Sequence, residues 1–278
     1  MLRRIALFLI ALSVANAAYA QDARLRRLDT GDDSRGWEAV GRLDIGGRGF
    51  CTGAMIAPDL VLTAAHCLFD KQTGKRVNHG KIEFLAGWRN GRASAYRWVK
   101  RAVVHPDYVF TGAVSPERVR NDVALLELQA PIRNTTVKPF ETDTRPRKGA
   151  KIGVVSYAYD RADAPSLQEI CAVMERQQGV LIMSCDVDFG SSGAPVFSFD
   201  NGVARIVSVV SAKAEVDGKQ VALGTQLEAP LALLRAELDA GGGVFQAPSP
   251  TASRIVVGGA RRETGAKFIR PSIAVNGG

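Results

Sequence analysis

Long apolar segments are missing from this chain. Its most apolar run, residues 5–14, is ten residues long, about half of the roughly 20 that a membrane-spanning helix needs. No later segment is long enough either. Arg3-Arg4 precede the run and Ala18-Tyr19-Ala20 follows it, an order typical of a secretory signal peptide. We therefore expect residues 1–20 to be removed and the mature chain, starting at Gln21, to be soluble and either secreted or periplasmic.

Cysteine is scarce, with four residues in a chain of 278, and no two of them form a C-x-x-C pair. This absence disfavours a zinc site. In an oxidising compartment an even number of cysteines favours disulfide bonds over free thiols. Cys51, Cys67, Cys171 and Cys185 allow three pairings, and the residues alone do not choose among them.

Aromatic residues make up only 7% of the chain, and they are not interleaved with basic residues as stacking on nucleic-acid bases requires. The net charge of +8 becomes +6 once Arg3 and Arg4 leave with the signal peptide. The remaining basic residues are scattered, so we expect their charge to solubilise the surface. We expect no nucleic-acid partner and no stable membrane anchor.

Short apolar runs separated by Gly, Pro and Asn begin at Trp37 and predict β-strands. Two series of six are expected, over 37–45, 53–57, 60–63, 81–88, 96–105 and 123–128, and then over 151–159, 169–176, 180–185, 194–199, 204–212 and 221–227. A proline-containing connection at 131–149 separates the series, and this pattern predicts an all-β fold of two antiparallel barrels.

The ends of the chain differ from this strand pattern. An amphipathic helix is expected over 229–239, where leucines recur at helical spacing. Beyond it, residues 241–278 form a Gly-, Pro- and Arg-rich tail. Residues 21–36 are charged and are expected to be a mobile lead-in or a short propeptide.

Three polar residues in distinctive contexts point to nucleophilic catalysis. They are His66 in Thr-Ala-Ala-His-Cys, Asp122 in Asn-Asp-Val-Ala-Leu-Leu, and Ser192 in Gly-Ser-Ser-Gly-Ala-Pro. A serine hydroxyl becomes a good nucleophile when an imidazole takes its proton and a carboxylate orients that imidazole. Taken singly, His66 fits a core histidine and Ser192 an ordinary turn, but the three together favour a catalytic triad. His79 and His105 have no nucleophile near them in sequence and are expected to be structural or exposed.

The motifs around His66, Asp122 and Ser192 resemble those of the chymotrypsin/trypsin-like serine proteases, which share the order His, Asp, Ser. The α/β-hydrolases and subtilisins use other orders. Ser191 stands where cleavage-activated members of the family carry Asp, so the chain is more similar to exported bacterial members of the glutamyl-endopeptidase-like group. The resemblance covers about residues 37–240. It implies two packed six-stranded antiparallel β-barrels (about 37–130 and 150–228) and a C-terminal helix (229–240).

The resemblance also implies a set of roles. His66 is the general base, Asp122 orients it, Ser192 forms the acyl-enzyme, and the N–H groups of Gly190 and Ser192 form the oxyanion hole. The implied disulfides are Cys51–Cys67 and Cys171–Cys185. The implied substrate pocket contains Asp186, Ser208 and Val210. Asp186 lies six residues before Ser192, where trypsin has a carboxylate, and this favours a basic side chain at P1, the residue before the cleaved bond.

An exported serine endopeptidase is the leading interpretation, acting as a monomer on polypeptides without a metal or other cofactor. A protease-like binding protein without turnover is the alternative, because Ser191 and the pocket wall depart from the family pattern. A secreted lipase or esterase is disfavoured by the His, Asp, Ser order and by the lack of strand–helix alternation around Ser192. Activity is expected not to need a freed N-terminus, because Ser191 cannot form the ion pair that activates trypsin-like zymogens.

Overall fold

The computed structural model describes residues 25–110, 113–143, 146–200, 202–216 and 218–245. The expected signal peptide and most of the expected tail lie outside these residues. The described strands are β1 (Arg26–Arg27), β2 (Val40–Ile45), β3 (Phe50–Ala57), β4 (Leu60–Thr63), β5 (Ile82–Ala86), β6 (Ala95–Val104), β7 (Ala124–Leu128), β8 (Lys151–Ser156), β9 (Ser166–Gln177), β10 (Val180–Met183), β11 (Pro195–Asp200), β12 (Val203–Val216) and β13 (Lys219–Gln226). The described α-helices are α1 (Pro116–Arg120) and α2 (Glu228–Asp239).

Two closed antiparallel barrels form the fold, as the strand pattern predicted. The first has the order β2-β3-β4-β7-β6-β5. The second is the ring β8-β9-β10-β13-β12-β11, which closes through the pairing of β8 with β9. Each strand of the two predicted series is present, and Leu60–Thr63 has the predicted bounds. The all-β prediction is therefore confirmed.

The part of the lead-in that the structure describes, residues 25–36, pairs with and packs against the second barrel. Strand β1 pairs with the start of β9 as a seventh strand of the second sheet. Leu28 follows it, is fully buried, and donates its N–H to the carbonyl of Pro165 at 2.9 Å. One apolar side chain among many charged ones thus attaches the segment, because its burial stabilises the contact while the charges remain in solvent.

The two barrels share apolar packing. One buried cluster combines first-barrel residues such as Leu62 and Leu126 with second-barrel residues such as Val155 and Phe197. The Phe197 ring lies 5.1 Å from the ring of Trp37 and 4.8 Å from that of Phe140, both edge-on. This interface holds the barrels together and so defines the cleft between them.

Both helices pack on the barrels. In α2, Leu231, Leu234 and Leu238 are buried, as the leucine spacing predicted. The chain continues in contact beyond α2, because Gly243 accepts a hydrogen bond from the N–H of Ala102 in β6 at 2.9 Å. Helix α1 was not predicted, and none of the described helices is long and apolar enough to cross a membrane.

Two disulfide bonds are present, Cys51–Cys67 and Cys171–Cys185. The first joins β3 to a short 3₁₀ helix, Ala65–Leu68, and the second joins β9 to the loop after β10. These are the pairings that the family resemblance implied.

Candidate active site

Strand pairing in the first barrel brings His66 and Asp122 together. Thr63, the last residue of β4, pairs with Ala124, the first residue of β7. His66 lies just after β4 in the 3₁₀ helix, and Asp122 lies just before β7. Asp122 Oδ2 is 2.7 Å from His66 Nδ1, while Asp122 Oδ1 accepts the backbone N–H of His66 at 2.8 Å. The carboxylate thus fixes both the ring and the backbone of the histidine.

This contact also determines the tautomer of the ring. A carboxylate accepts hydrogen bonds, so Nδ1 carries the proton that faces Asp122. Nε2 is then free to accept a proton from another group. Asp122 is only 1% exposed and His66 8%, so the pair is screened from solvent except where the histidine meets the cleft.

Ser211 is a third member of this network, and the sequence analysis missed it. It lies in β12 of the second barrel and donates its hydroxyl to Asp122 Oδ2 at 2.5 Å. Its only signal in the sequence was a serine three residues beyond Ser208 on the same strand. Spacing alone does not distinguish the two serines, because the choice depends on which of them faces the other barrel.

Ser208 and Val210 are buried inside the second barrel, so their assignment to the wall of a substrate pocket is not supported. Ser208 donates its hydroxyl to the carbonyl of Thr225 at 2.8 Å and is fully buried. Val210 is 2% exposed and exchanges backbone hydrogen bonds with the segment that follows Ser192. Ser211, not Ser208, makes the contact with the first barrel. The part of β12 that faces the first barrel therefore begins three residues later than predicted.

The Ser192 loop has a backbone that only glycine fits at two points. Gly190 has φ +99°, and a Cβ there would lie 2.5 Å from the Phe50 ring. Gly193 has φ +78°, and a Cβ would lie 2.1 Å from Thr63 Oγ1. Positive φ is strained for other residues, so both positions combine conformational and steric reasons for glycine.

Two backbone donors of this loop are free. Within the part of the chain that the structure describes, the N–H groups of Gly190 and Ser192 donate to no other protein atom. Ser192 itself is partly exposed and lines the same cavity as His66. The loop therefore offers a hydroxyl and two N–H donors to a bound molecule.

Ser191 is fully buried and has polar neighbours on each side. Its hydroxyl lies 3.2 Å from Ser156 Oγ and 3.3 Å from the carbonyl of Tyr157, and it accepts the N–H of Asp188 at 3.3 Å. A neutral hydroxyl is satisfied by these groups, and none of them is a cation. The site of Ser191 is therefore built without an ion pair.

A cavity of about 880 Å³ extends from His66 and Ser192 along the Cys51–Cys67 disulfide. Its walls include the aromatic rings of Phe50, Tyr159 and Phe189 and the cations of Arg48 and Lys71. Tyr159 and Phe189 are 74% and 73% exposed, which is unusual for large apolar rings. The cavity thus combines exposed aromatic rings with a candidate nucleophile, a combination typical of ligand-binding sites.

Asp186 does not line this cavity. Its side chain is exposed, and its backbone N–H donates to Gln168 Oε1 at 2.8 Å. The other two histidines also lie elsewhere. His79 donates Nε2–H to the carbonyl of Lys100 at 3.1 Å, and His105 accepts the N–H of Asp107 on Nδ1 at 3.3 Å. Burial lowers the pKa of both imidazoles.

Possible metal ligands occur together at one described position. A ring nitrogen of His66 and the sulfurs of Cys51 and Cys67 lie within 4.8 Å of one another. The two sulfurs are bonded to each other. A disulfide provides no thiolate, so this cluster does not have the chemistry of a zinc site.

Comparisons with known proteins identify the family of the chain. The model of the trypsin family matches residues 30–226. Serine protease 23 of Mus musculus is 29% identical over 163 residues, 53% of this chain and 42% of that protein. Glutamyl endopeptidase of Bacillus licheniformis is 27% identical over 150 residues, 54% of this chain and 45% of that protein. The chain thus spans less than half the length of these curated relatives.

A solved structure, that of a Glu endopeptidase in complex with MPD, has the same fold. Its TM-score is 0.64 at 20% identity, and the match covers 77% of this chain and 97% of that one. The extent of the family match confirms the resemblance seen in the motifs. The chain belongs to the trypsin family of serine proteases, and within that family it is similar to bacterial glutamyl endopeptidases.

Proposed function

We propose that the protein is an exported serine endopeptidase that cleaves polypeptides through an acyl-enzyme. The observation that carries this proposal is the double hydrogen bond from His66 to Asp122, which leaves Nε2 free as a base at a cavity that Ser192 also lines. The two disulfide bonds support export, because such bonds persist in oxidising compartments. Family membership supports peptide-bond hydrolysis as the reaction.

In the first half of the proposed reaction, Ser192 Oγ attacks the carbonyl carbon of the substrate while His66 Nε2 accepts its proton. The carbonyl oxygen becomes an oxyanion, which the N–H groups of Gly190 and Ser192 stabilise. His66 then gives the proton to the leaving nitrogen. The C–N bond breaks, an amine departs, and the acyl group remains as an ester on Ser192.

The second half repeats these steps with water. His66 Nε2 takes a proton from the water as its oxygen attacks the ester carbon. The same two N–H groups stabilise the second oxyanion. His66 then returns the proton to Ser192 Oγ, the carboxylic acid leaves, and the enzyme is restored. Asp122 accepts the Nδ1–H of His66 throughout and stabilises the imidazolium that forms in each half.

A preference for basic P1 side chains through Asp186 loses support, because the Asp186 side chain is exposed and lies outside the cavity that holds Ser192. The chemistry of the cavity walls instead favours substrates that place apolar or aromatic groups beside Phe50, Tyr159 and Phe189.

The monomeric state of the protein is also part of this proposal.

Labelling by a fluorophosphonate tests the proposal, with purified protein of residues 21–278. We expect covalent labelling of the wild type and none of Ser192→Ala. Ser198→Ala is the matched control, since Ser198 lies in β11, is 8% exposed, and has no hydrogen-bond partner for its hydroxyl among the described residues. It should label like the wild type. A folded wild-type protein that does not label would favour the alternative, a protease-like binding protein without turnover.

A further inference from the structure

The loop that carries Ser192 is held by a hydrogen bond at each of four consecutive carbonyls. The carbonyl of Phe189 accepts the N–H of Tyr159 at 2.8 Å, and the carbonyl of Gly190 accepts the hydroxyl of Thr52 at 2.9 Å. The carbonyl of Ser191 accepts the N–H of Ala194 at 3.0 Å, and the carbonyl of Ser192 accepts the N–H of Thr52 at 2.8 Å. Two of the four donors therefore belong to one residue, Thr52, which lies in β3 of the other barrel.

These bonds orient the free donors of the loop. In a trans peptide unit the C=O and the N–H point in opposite directions. The carbonyl of Phe189 is held by Tyr159, so the N–H of Gly190 in the same unit faces away from Tyr159. The carbonyl of Ser191 is held in the same way, which directs the N–H of Ser192. These two N–H groups, of Gly190 and Ser192, have no acceptor among the described residues and so can donate to a ligand.

Thr52 is saturated with hydrogen bonds and fully buried. Its hydroxyl donates to Gly190 and accepts the N–H of Tyr157 at 3.1 Å, so both its donor and an acceptor position are used. Its own carbonyl accepts the hydroxyl of Thr63 at 2.9 Å. The hydroxyl thus links β3 to both segments that shape the loop, namely 157–159 and 189–192.

We propose that Thr52 is the positioning residue that keeps the oxyanion hole formed in this protein. Its hydroxyl fixes the peptide unit between Gly190 and Ser191, immediately after the first oxyanion donor. Ser191 is neutral and hydrogen-bonded to neutral groups, so it cannot hold this loop through an ion pair with a freed N-terminus. The expected effect of Thr52 on kcat rests on the proposed function. Its effect on the orientation of the loop rests on the hydrogen bonds alone.

The decisive comparison is Thr52→Val, which keeps the size of the side chain and removes the hydroxyl. We expect kcat for a peptide substrate to fall roughly 10- to 100-fold with KM little changed, somewhat less than the 10²–10³-fold loss of kcat on removing an oxyanion-hole donor outright. Thr52→Ser should restore most of the rate. Ser198→Ala is the control, since it removes a buried hydroxyl of β11 that has no hydrogen-bond partner among the described residues, and its kcat should stay within a few-fold of wild type.

Two further arrangements keep the test decisive. If Thr52→Val does not fold, Thr52→Ala and Thr52→Ser differ only in the hydroxyl, and their kcat ratio replaces the first comparison. Crystal structures of wild type and Thr52→Val should show the 189–191 peptide units reoriented in the variant. A wild type that does not turn over would reject the proposed function, while these structures would still test the role of Thr52. Unchanged peptide units and unchanged kcat in Thr52→Val would overturn the inference.

Discussion

At the scale of single residues, the site depends on the groups that donate hydrogen bonds to the carboxylate of Asp122. Its carboxylate accepts hydrogen bonds from the ring of His66, the backbone of His66 and the hydroxyl of Ser211. A buried carboxylate without such donors would carry the cost of unpaired polar atoms. Two donors come from the first barrel and one from the second, so the hydrogen bonding of Asp122 depends on contact between the barrels.

Removal of the Ser211 hydroxyl should therefore slow the reaction without unfolding the protein. Hydrogen bonds to charged groups contribute about 1.5–3 kcal/mol, and we expect Ser211→Ala to lower kcat/KM on the order of tenfold or more. Steady-state kinetics with a peptide substrate measures this, and circular dichroism checks the fold.

Ser208→Ala is the control for this experiment. Ser208 is a buried serine of the same strand, and its hydroxyl bonds within the second barrel. We expect its kcat/KM to remain near the wild-type value. A larger loss in Ser208→Ala than in Ser211→Ala would show that the original assignment of the cleft wall to Ser208 was correct.

At the scale of elements, most of the candidate site lies in the segments between the strands. His66 follows β4, Asp122 precedes β7, and Gly190 and Ser192 lie between β10 and β11. Tyr159 extends from the segment after β8, where its ring stacks on Phe50 at 5.6 Å. The strands hold these segments at fixed separations, so under the proposed function their residues would select the substrate.

Truncation of Phe189 should weaken the binding of extended substrates. Its ring is 73% exposed, with Lys71 Nζ 5.6 Å from its centre, and full burial of a Phe side chain is worth about 1.5–3 kcal/mol. We expect Phe189→Ala to raise KM for long peptides roughly tenfold and to leave hydrolysis of a small activated ester unchanged. Trp98→Ala, at a 45% exposed aromatic of β6 that does not line the cavity, is the control. An equal effect on peptide and ester would contradict a role in substrate binding.

At the scale of the whole molecule, two buried histidines connect stability to pH. Burial lowers the pKa of His79 and of His105 below that of an exposed imidazole, which is about 6.5. As the pH falls through 6.5, the unfolded chain binds protons that the native protein does not. The free energy of unfolding therefore falls with pH, and the loss continues until the native pKa is passed.

Urea unfolding at pH 7.5 and pH 5.5 measures this effect. We expect wild type to be less stable at pH 5.5, and His79→Gln, which keeps a side-chain N–H to donate to Lys100, to lose less stability between the two values. His105→Gln reports the second histidine separately. The depressed carboxylate pKa of groups such as Glu127 matters only at lower pH, because those groups stay ionised in this range. An identical loss in wild type and in both variants would assign the pH dependence to other groups.

Much of this fold was predictable because its strands are short apolar runs that lie between turn residues. Leu60–Thr63 and Lys151–Ser156 both begin where the pattern begins. The missed elements are short and polar: β1 consists of two arginines, and α1 spans five residues, Pro116–Arg120, capped by Ser115. Their presence depends on partners elsewhere in the chain, which local periodicity does not reveal.

The sequence by itself determined the chemistry available to the site, namely a histidine, an aspartate and a serine in distinctive contexts, and glycines where the backbone needs positive φ. It also determined that the chain forms enough strands for two barrels. Only the tertiary structure decided which serine of β12 reaches Asp122 and that Thr52 holds Gly190, a residue 138 positions away. The reason is that strand register and barrel packing determine which side chains meet. Those contacts form between residues far apart in the chain, where no local pattern links them.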